Sequence, residues 1–239
     1  MFLVNGFNFQ TSHLPVLATL RVMVDAQLEP IKIDELMRGT TTIGVVCREG
    51  VVLATDTRVT MGTFVASKRG KKVFKIDDHL AMTIAGVVAE AQSVVDILKA
   101  NARLFRLDKG RPMAVNVAAR LVANILFSSR AFPLAMQAII GGIDETGAHI
   151  YALDPFGSVT EETYVSTGSG SPIAYGILEA EYRKDMPISE GISMVVRAVS
   201  ASMKRDAGSG DSFDVAVVTK KGYHELSEEE KKKAIEPKA

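Results

Sequence analysis

The 239-residue sequence predicts an α+β fold, a four-layer sandwich in which two antiparallel β-sheets lie between two pairs of helices. Two observations lead to this prediction. The chain is 47% hydrophobic, enough for one large core. Strand patterns occur in runs and helical patterns in pairs, an order that favours antiparallel sheets over alternating βαβ units. Two such sheets would pack face to face, and the helix pairs would cover their outer faces.

The strand predictions depend on β-branched runs separated by turn residues. Glu49-Gly50 separates the first two runs and Asp77-Asp78-His79 separates the next two, so both pairs are predicted hairpins. Three strands follow the first helix pair, and two more close the fold. The predicted strands are 41–48, 51–56, 72–76, 80–85, 135–143, 149–153, 163–166, 213–219 and 223–226.

Four helices are predicted from apolar residues at helical spacing. The first carries such residues from Val87 to Phe105 and should end at Gly110-Arg111-Pro112, because glycine and proline stop helices. The charge-dense end, residues 227–239, is predicted to be a solvated helix or a frayed tail. The predicted helices span 87–107, 115–127, 173–182 and 188–205.

Composition and charge exclude several classes of partner. Basic and acidic residues both number 28, so the net charge gives no sign of nucleic acid or an anionic membrane surface. No apolar run approaches the roughly 18 residues that span a membrane. The apolar segment 14–24 lacks a basic region before it and a signal cleavage site after it. We therefore expect a cytoplasmic protein without membrane or nucleic-acid partners.

Nothing in the sequence favours a metal or a cofactor. Cys47 lies in the apolar run 43–47, where a small buried side chain is more common than a reactive thiol. The segment 168–171 (GSGS) precedes a helix, but its spacing matches neither glycine-rich phosphate motif. Four histidines are scattered without the spacing of a metal site: His13, His79, His149 and His224.

The segment 39–44 (GTTTIG) allows two interpretations. It could be the start of a strand rich in β-branched residues. Alternatively, Thr40 could be an amino-terminal nucleophile, because a free α-amine with a pKa near 8 can take the proton of the adjacent hydroxyl. That chemistry requires removal of residues 1–39, which show no sustained hydrophobic period and end in the basic, flexible Arg38-Gly39.

Six segments, in order and in spacing, resemble the β subunits of archaeal-type 20S proteasomes, which are N-terminal-nucleophile (Ntn) hydrolases. The segments are 39–44 (GTTTIG), 54–60 (ATDTRVT), 70–74 (GKKVF), 82–86 (MTIAG), 166–171 (STGSGS) and 205–210 (RDAGSG). The resemblance implies the sandwich fold, a propeptide 1–39 that is removed by self-cleavage between Gly39 and Thr40, a catalytic domain 40–226 and a charged tail 227–239.

The resemblance also implies catalytic roles. Thr40 would supply the nucleophile, Lys72 an ammonium beside it, and Asp56 the counter-charge of Lys72. The N–H of Gly86 would stabilise the oxyanion. For Lys72, an exposed position on a strand is the alternative. Arg58 would add to the charge network of Asp56 and Lys72. The wall that orients the amine would comprise Ser169, Asp206 and Ser209, with Gly210 permitting close approach of the backbone.

The resemblance places an uncharged pocket beside Thr40, and cleavage after large hydrophobic residues would follow. Core packing is the alternative for Phe74 and Ile84. The implied substrate-binding residues are Val59, Thr60, Gly70, Phe74, Ile84 and Val88.

The implied partners are other β subunits in a seven-membered ring, rings of α subunits, unfolded protein substrates and, indirectly, a regulatory ATPase. A non-catalytic ring subunit is one alternative, which retention of Thr40, Asp56 and Lys72 disfavours. A bacterial peptidase that pairs with an unfoldase ATPase is another, disfavoured by the segment 205–210. Three methionines are candidate translation starts: Met1, Met23 and Met37.

Overall fold

The computed structural model describes residues 39–235. The predictions about the propeptide and the three candidate starts therefore concern residues outside the described part. Residues 39–235 form twelve strands. These are β1 (Thr42–Cys47), β2 (Gly50–Asp56), β3 (Val59–Met61), β4 (Phe64–Ser67), β5 (Val73–Asp77), β6 (Leu80–Gly86), β7 (Met136–Asp144), β8 (Gly147–Leu153), β9 (Val159–Glu162), β10 (Tyr164–Thr167), β11 (Phe213–Thr219) and β12 (Gly222–Glu225).

Five helices accompany these strands in the described residues. They are α1 (Val88–Lys109), α2 (Val115–Ser128), α3 (Ser171–Glu181), α4 (Ile188–Arg205) and α5 (Glu228–Ile235). Helix α1 ends where the sequence predicted: Gly110 adopts φ 65°, and its N–H donates to the carbonyl oxygen of Arg106. Within residues 39–235, no helix combines the length and apolar character needed to cross a membrane.

The strands form two five-stranded antiparallel sheets and a separate hairpin. Sheet I has the order β10-β1-β2-β11-β12, sheet II has the order β5-β6-β7-β8-β9, and β3 pairs with β4. Both predicted hairpins are confirmed. Cys47 is opposite Gly50 across the first turn, and Asp77 is opposite Leu80 across the second.

Three apolar clusters hold these elements together. The first joins sheet II to α1 and α2 and includes Leu98 and Ile140. The second joins sheet I to α3 and α4 and includes Leu178 and Val195. The third contains residues of both sheets, among them Leu53 of β2. Alternation along each strand separates the clusters, because successive side chains point to opposite faces of a sheet.

The structure differs from the strand predictions at three short elements. Strands β3 and β4 were not predicted, and the single strand predicted at 163–166 is β10, preceded by the unpredicted β9. None of the three missed strands contains a buried residue. They therefore lack the alternation of buried and exposed residues from which strands are recognised.

Helix α5 accounts for part of the charge-dense C-terminus. Lys231 is 6% exposed, and its ammonium lies 3.1 Å from a carboxylate oxygen of Asp214 and 2.8 Å from one of Glu228. The charged segment therefore packs against the domain through one buried lysine, a contact that charge density alone does not predict.

Cys47 packs in the apolar core, as the sequence predicted. Its side chain is buried, and burial raises the pKa of the thiol to about 12. Gly191 of α4 provides the space for this sulfur. A Cβ added at position 191 would lie 2.4 Å from Cys47 Sγ, closer than any ordinary contact.

We predict that Gly191→Ala lowers the melting temperature of the wild-type chain but raises that of Cys47→Ala. Alanine favours a helix over glycine by about 1 kcal/mol, whereas overpacking costs about 1–3 kcal/mol. In Cys47→Ala the overpacking is absent, so only the helix preference of alanine remains. Thermal unfolding of the four combinations, at one state of assembly, measures the change of sign. An increase in both backgrounds would contradict the close contact.

Candidate active site

The candidate site lies where β1 begins, β2 ends and the chain enters β5. Thr42 of β1 is opposite Thr55 of β2, so the antiparallel register places Asp56 beside Thr41. Lys72 immediately precedes β5, and its carbonyl oxygen accepts the N–H of Ile84 in β6. Two sheets thus contribute to one site. Its residues are far apart in sequence but fixed by strand pairing.

Lys72 and Asp56 form a buried ion pair. Lys72 Nζ lies 2.8 Å from Asp56 Oδ1, and the two side chains are 4% and 0% exposed. Burial lowers the pKa of the Lys72 ammonium, and the Asp56 carboxylate opposes this decrease. The alternative of an exposed strand lysine is therefore wrong.

Backbone N–H groups complete the shell around Asp56. Thr41 donates to Oδ1 at 2.9 Å, and Arg58 and Gly210 donate to Oδ2 at 3.0 and 3.1 Å. Burial raises the pKa of Asp56, whereas Lys72 and the N–H groups of Thr41 and Gly210 act in the opposite direction. These donors stabilise a buried carboxylate whether or not Lys72 is present.

The hydroxyl of Thr40 and the ammonium of Lys72 meet at the carbonyl oxygen of Gly39. Thr40 Oγ1 donates to this oxygen at 2.7 Å, and Lys72 Nζ donates to it at 3.4 Å. Thr40 is 5% exposed. A hydroxyl and a buried cation therefore contact the carbonyl of the peptide bond that precedes Thr40.

Ser169, Asp206 and Ser209 form a hydrogen-bonded chain on the other side of Thr40. Thr40 N donates to Ser169 Oγ at 3.3 Å. Ser169 Oγ and Ser209 Oγ both donate to Asp206 Oδ2, at 2.7 and 2.6 Å. The three residues that the family resemblance assigned to a wall are thus connected to one another and to the backbone nitrogen of Thr40.

Arg58 lies beside the buried pair, but its guanidinium forms an ion pair with Asp211. Its Nε donates to Asp211 Oδ2 at 2.8 Å, and another guanidinium N–H donates to the carbonyl oxygen of Ala207 at 3.0 Å. A Cβ at Gly210 would lie 2.3 Å from the guanidinium carbon of Arg58, so a larger residue there would displace the guanidinium. Arg58 thus contacts Asp56 through its backbone, and its side chain braces the loop 206–212.

A cleft of about 640 Å³ opens beside Thr40. Four of the six predicted substrate-binding residues line it: Val59, Thr60, Ile84 and Val88. Gly86 also lines the cleft, at the end of β6, with φ 122°. A Cβ at position 86 would lie 2.0 Å from the carbonyl oxygen of Ala135, so this position requires glycine.

The other two predicted pocket residues, Gly70 and Phe74, are not among the described residues that line the cleft. Gly70 supports the cleft from behind, because a Cβ there would lie 2.2 Å from Val59 Cγ2. Phe74 packs against the cluster between sheet II and the helices, as the alternative of core packing had it.

Similarity to known proteins identifies the family. Residues 36–218 match the family described as "Proteasome subunit". The chain belongs to this family. It is 50% identical to "Proteasome subunit beta" of Ferroglobus placidus over 198 residues. The aligned region covers 82% of this chain and 94% of the relative. The chain is 51% identical over 198 residues to the protein of that name from Methanocaldococcus vulcanius, 82% of this chain and 89% of the relative.

A third protein of the same name, from Methanothermobacter thermautotrophicus, is 48% identical over 201 residues, which are 84% of this chain and 96% of the relative. The family match accounts for the six motif segments together, since all six lie within residues 36–218. All six therefore belong to one proteasome-subunit domain.

Several residues of this proteasome subunit's site were missed in the sequence. Met61, Gly62 and Thr63 line the cleft because the β3–β4 hairpin lies beside it. Thr41 contacts Asp56 through its N–H and Ser209 through its hydroxyl. The run of three threonines was visible, but which of them point into the site depends on the register of β1. Within residues 39–235, no cluster of His, Cys, Asp and Glu suits a metal ion.

The buried pair predicts an asymmetry in stability. Asp56→Ala leaves an unpaired buried ammonium and should cost about 3–5 kcal/mol. Lys72→Met should cost less, because the carboxylate keeps three backbone donors. Denaturant unfolding at one state of assembly measures both free energies.

Lys71→Met is the matched control for this comparison. Lys71 is 53% exposed in its side chain and pairs with Glu225, and such surface pairs contribute about 0–1 kcal/mol. Equal losses for Asp56→Ala and Lys72→Met would contradict the account of the buried pair.

Proposed function

We propose that this chain is the catalytic β subunit of a proteasome core and that Thr40 is its nucleophile. Among proteasome subunits it has the role of a β subunit, since relatives of that name are about half identical to it. The observation that carries the catalytic assignment is the meeting of Thr40 Oγ1 and Lys72 Nζ at the carbonyl oxygen of Gly39.

The first reaction is self-cleavage. Thr40 Oγ1 adds to the carbonyl carbon of Gly39, the bond from that carbon to Thr40 N breaks, and the hydroxyl proton ends on the nitrogen. Water then hydrolyses the resulting ester to give the Gly39 carboxylate and a free hydroxyl and amine at Thr40. Lys72 favours the step because its positive charge stabilises negative charge on the reacting oxygens. Residues 1–39 would thereby be released as a propeptide.

The second reaction is peptide hydrolysis. The free amine of Thr40 accepts the proton of Oγ1, which attacks the substrate carbonyl, and the proton passes to the departing amine. Water hydrolyses the ester that remains. Ser169 accepts an N–H of Thr40, which fixes the direction of the nitrogen. The N–H of Gly86, at the rim of the cleft, is assigned to the oxyanion of the substrate.

Substrate preference follows from the cleft. Val59, Ile84 and Val88 provide apolar walls, so the substrate class is unfolded polypeptide cleaved after large hydrophobic residues. Thr60, which lines the cleft together with Gly39, is assigned the role of binding the substrate backbone.

The architecture and assembly belong to the same proposal. The three apolar clusters support a four-layer α-β-β-α sandwich for residues 40–226, with residues 227–239 as a separate charged segment. The partners are other β subunits in a seven-membered ring, rings of α subunits and, indirectly, a regulatory ATPase in the cytoplasm. A non-catalytic subunit would have no reason to bury Lys72 against Asp56 beside a threonine hydroxyl.

We predict that Thr40→Ala and Lys72→Ala both leave the Gly39–Thr40 bond uncut and abolish peptidase activity. Lys72→Arg should lose at least about a hundredfold in rate, because a planar guanidinium cannot replace a compact ammonium. Asp56→Asn should lose less, since Lys72 keeps its place but not its counter-charge. Precursor mass and turnover of a fluorogenic peptide are measured at matched assembly.

Lys71→Ala is the control, because this neighbouring lysine points outward to Glu225. It should be processed and active like the wild type. Processed, active particles of Lys72→Ala would overturn the catalytic role assigned to Lys72.

The cleft predicts a change in specificity on introduction of one charge. Wild-type particles should cut peptides ending in Tyr, Phe or Leu faster than those ending in Arg or Asp. Val59→Asp should raise the ratio of cleavage after Arg to cleavage after Leu by at least about tenfold. Val117→Asp, which adds the same charge on the exposed face of α2, should keep the wild-type ratio. Equal cleavage of all wild-type substrates would show that the pocket is wrongly assigned.

A further inference from the structure

Thr41 contacts both the Asp56–Lys72 ion pair and the hydrogen-bonded chain of Ser169, Asp206 and Ser209. Its backbone N–H donates at 2.9 Å to Asp56 Oδ1, the oxygen that also accepts Lys72 Nζ at 2.8 Å. Its side-chain Oγ1 lies 2.7 Å from Ser209 Oγ, and Thr41 is fully buried. The residue after the nucleophile therefore lies between the ion pair and the serine–aspartate chain.

The direction of the hydrogen bond between Thr41 and Ser209 follows from counting protons. A serine hydroxyl has one proton, and a carboxylate oxygen can only accept. Ser209 Oγ donates to Asp206 Oδ2 at 2.6 Å, so its proton is used there. Thr41 Oγ1 must then be the donor to Ser209 Oγ. The hydroxyl of Thr41 thus fixes the rotamer of Ser209 and, through it, the oxygen of Asp206 that receives Ser169.

The space around the Thr41 hydroxyl is also built for it. A Cβ at Gly170 would lie 1.9 Å from Thr41 Oγ1, so any larger residue at position 170 would displace the hydroxyl. Ser202 Oγ donates to the carbonyl oxygen of Gly170 at 3.0 Å and holds that backbone in place. Two further residues thus fix the position of one oxygen atom that does not face the cleft.

We propose that Thr41 is a positioning residue for the reaction at Thr40. Its N–H anchors the start of β1 to the Asp56–Lys72 pair, and its hydroxyl anchors the same residue to Ser209, Asp206 and Ser169. This series of hydrogen bonds ends at Ser169 Oγ, which accepts a hydrogen bond from the backbone N–H of Thr40 at 3.3 Å. Thr41 therefore couples the lysine beside Oγ1 to the serine that orients the nitrogen. This inference depends on the proposed function of Thr40.

The test compares Thr41→Ser, which keeps the hydroxyl, with Thr41→Ala, which removes it. Both lose the methyl group, so packing loss is matched. In processed particles at matched assembly, Thr41→Ser should keep kcat within about twofold of the wild type. Thr41→Ala should lower kcat by about three- to tenfold, the equivalent of one hydrogen bond. KM should not change, because Thr41 is not among the described residues that line the cleft.

A double-mutant cycle shows whether the hydroxyl acts through Ser209. In a Ser209→Ala background, the difference in kcat between Thr41→Ser and Thr41→Ala should disappear. Equal kcat values for the two Thr41 variants in the wild-type background would overturn the proposal. A difference that persists without Ser209 would overturn it as well.

Failure of the variants to assemble is also informative. Thr41→Val keeps the β-branch without the hydroxyl and replaces Thr41→Ala if the latter does not assemble. Assembly of Thr41→Ser with failure of both others would show that the Thr41 hydroxyl is required for folding or assembly and would contradict the positioning role. Failure of the proposed function is separate, since it would appear as activity in Thr40→Ala or Lys72→Ala whatever the result at Thr41.

Discussion

The burial of one ammonium, that of Lys72, is the constraint on which the rest of the site depends. An unpaired charge in a protein interior costs several kcal/mol, so the fold must supply a carboxylate and hold it in place. Strand β2 ends at Asp56 for this contact, and the loop before β5 delivers Lys72 to it at 2.8 Å. The N–H groups of Thr41, which immediately precedes β1, and of Gly210 then fix the carboxylate. The position of sheet I relative to the start of β5 in sheet II is thereby fixed at this site.

The consequence of this constraint is an asymmetric environment at Thr40. A cation lies on the side of the hydroxyl and the Gly39 carbonyl, while the serine–aspartate chain lies on the side of the nitrogen. A nucleophile needs a stabilised oxygen, and a base needs an oriented nitrogen. The two requirements fall on one residue, and Thr41 lies between the groups that meet them. The same arrangement can therefore serve both self-cleavage and the hydrolysis of other chains.

Local patterns predicted the local structure. Both early hairpins, the end of α1 at Gly110 and the burial of Cys47 follow from turn residues and apolar spacing. The approach of Lys72 to Asp56 came from the resemblance of motifs, because periodicity says nothing about pairing between sheets. The β3–β4 hairpin was missed since its strands contain no buried residue and so show no alternating pattern. The directions of Arg58 and Phe74 depend on neighbours distant in sequence, Asp211 for the first and the cluster beside α1 for the second.

The intact mass of the chain in purified, active wild-type particles tests the central claim most directly. If the charges around Gly39 and Thr40 promote cleavage of the bond between them, the chain should begin at Thr40 and carry a free amine. Tandem mass spectrometry of the amino-terminal peptide would place the cut to the residue. A chain that begins at Thr41, or active particles in which the Gly39–Thr40 bond is intact, would contradict the account.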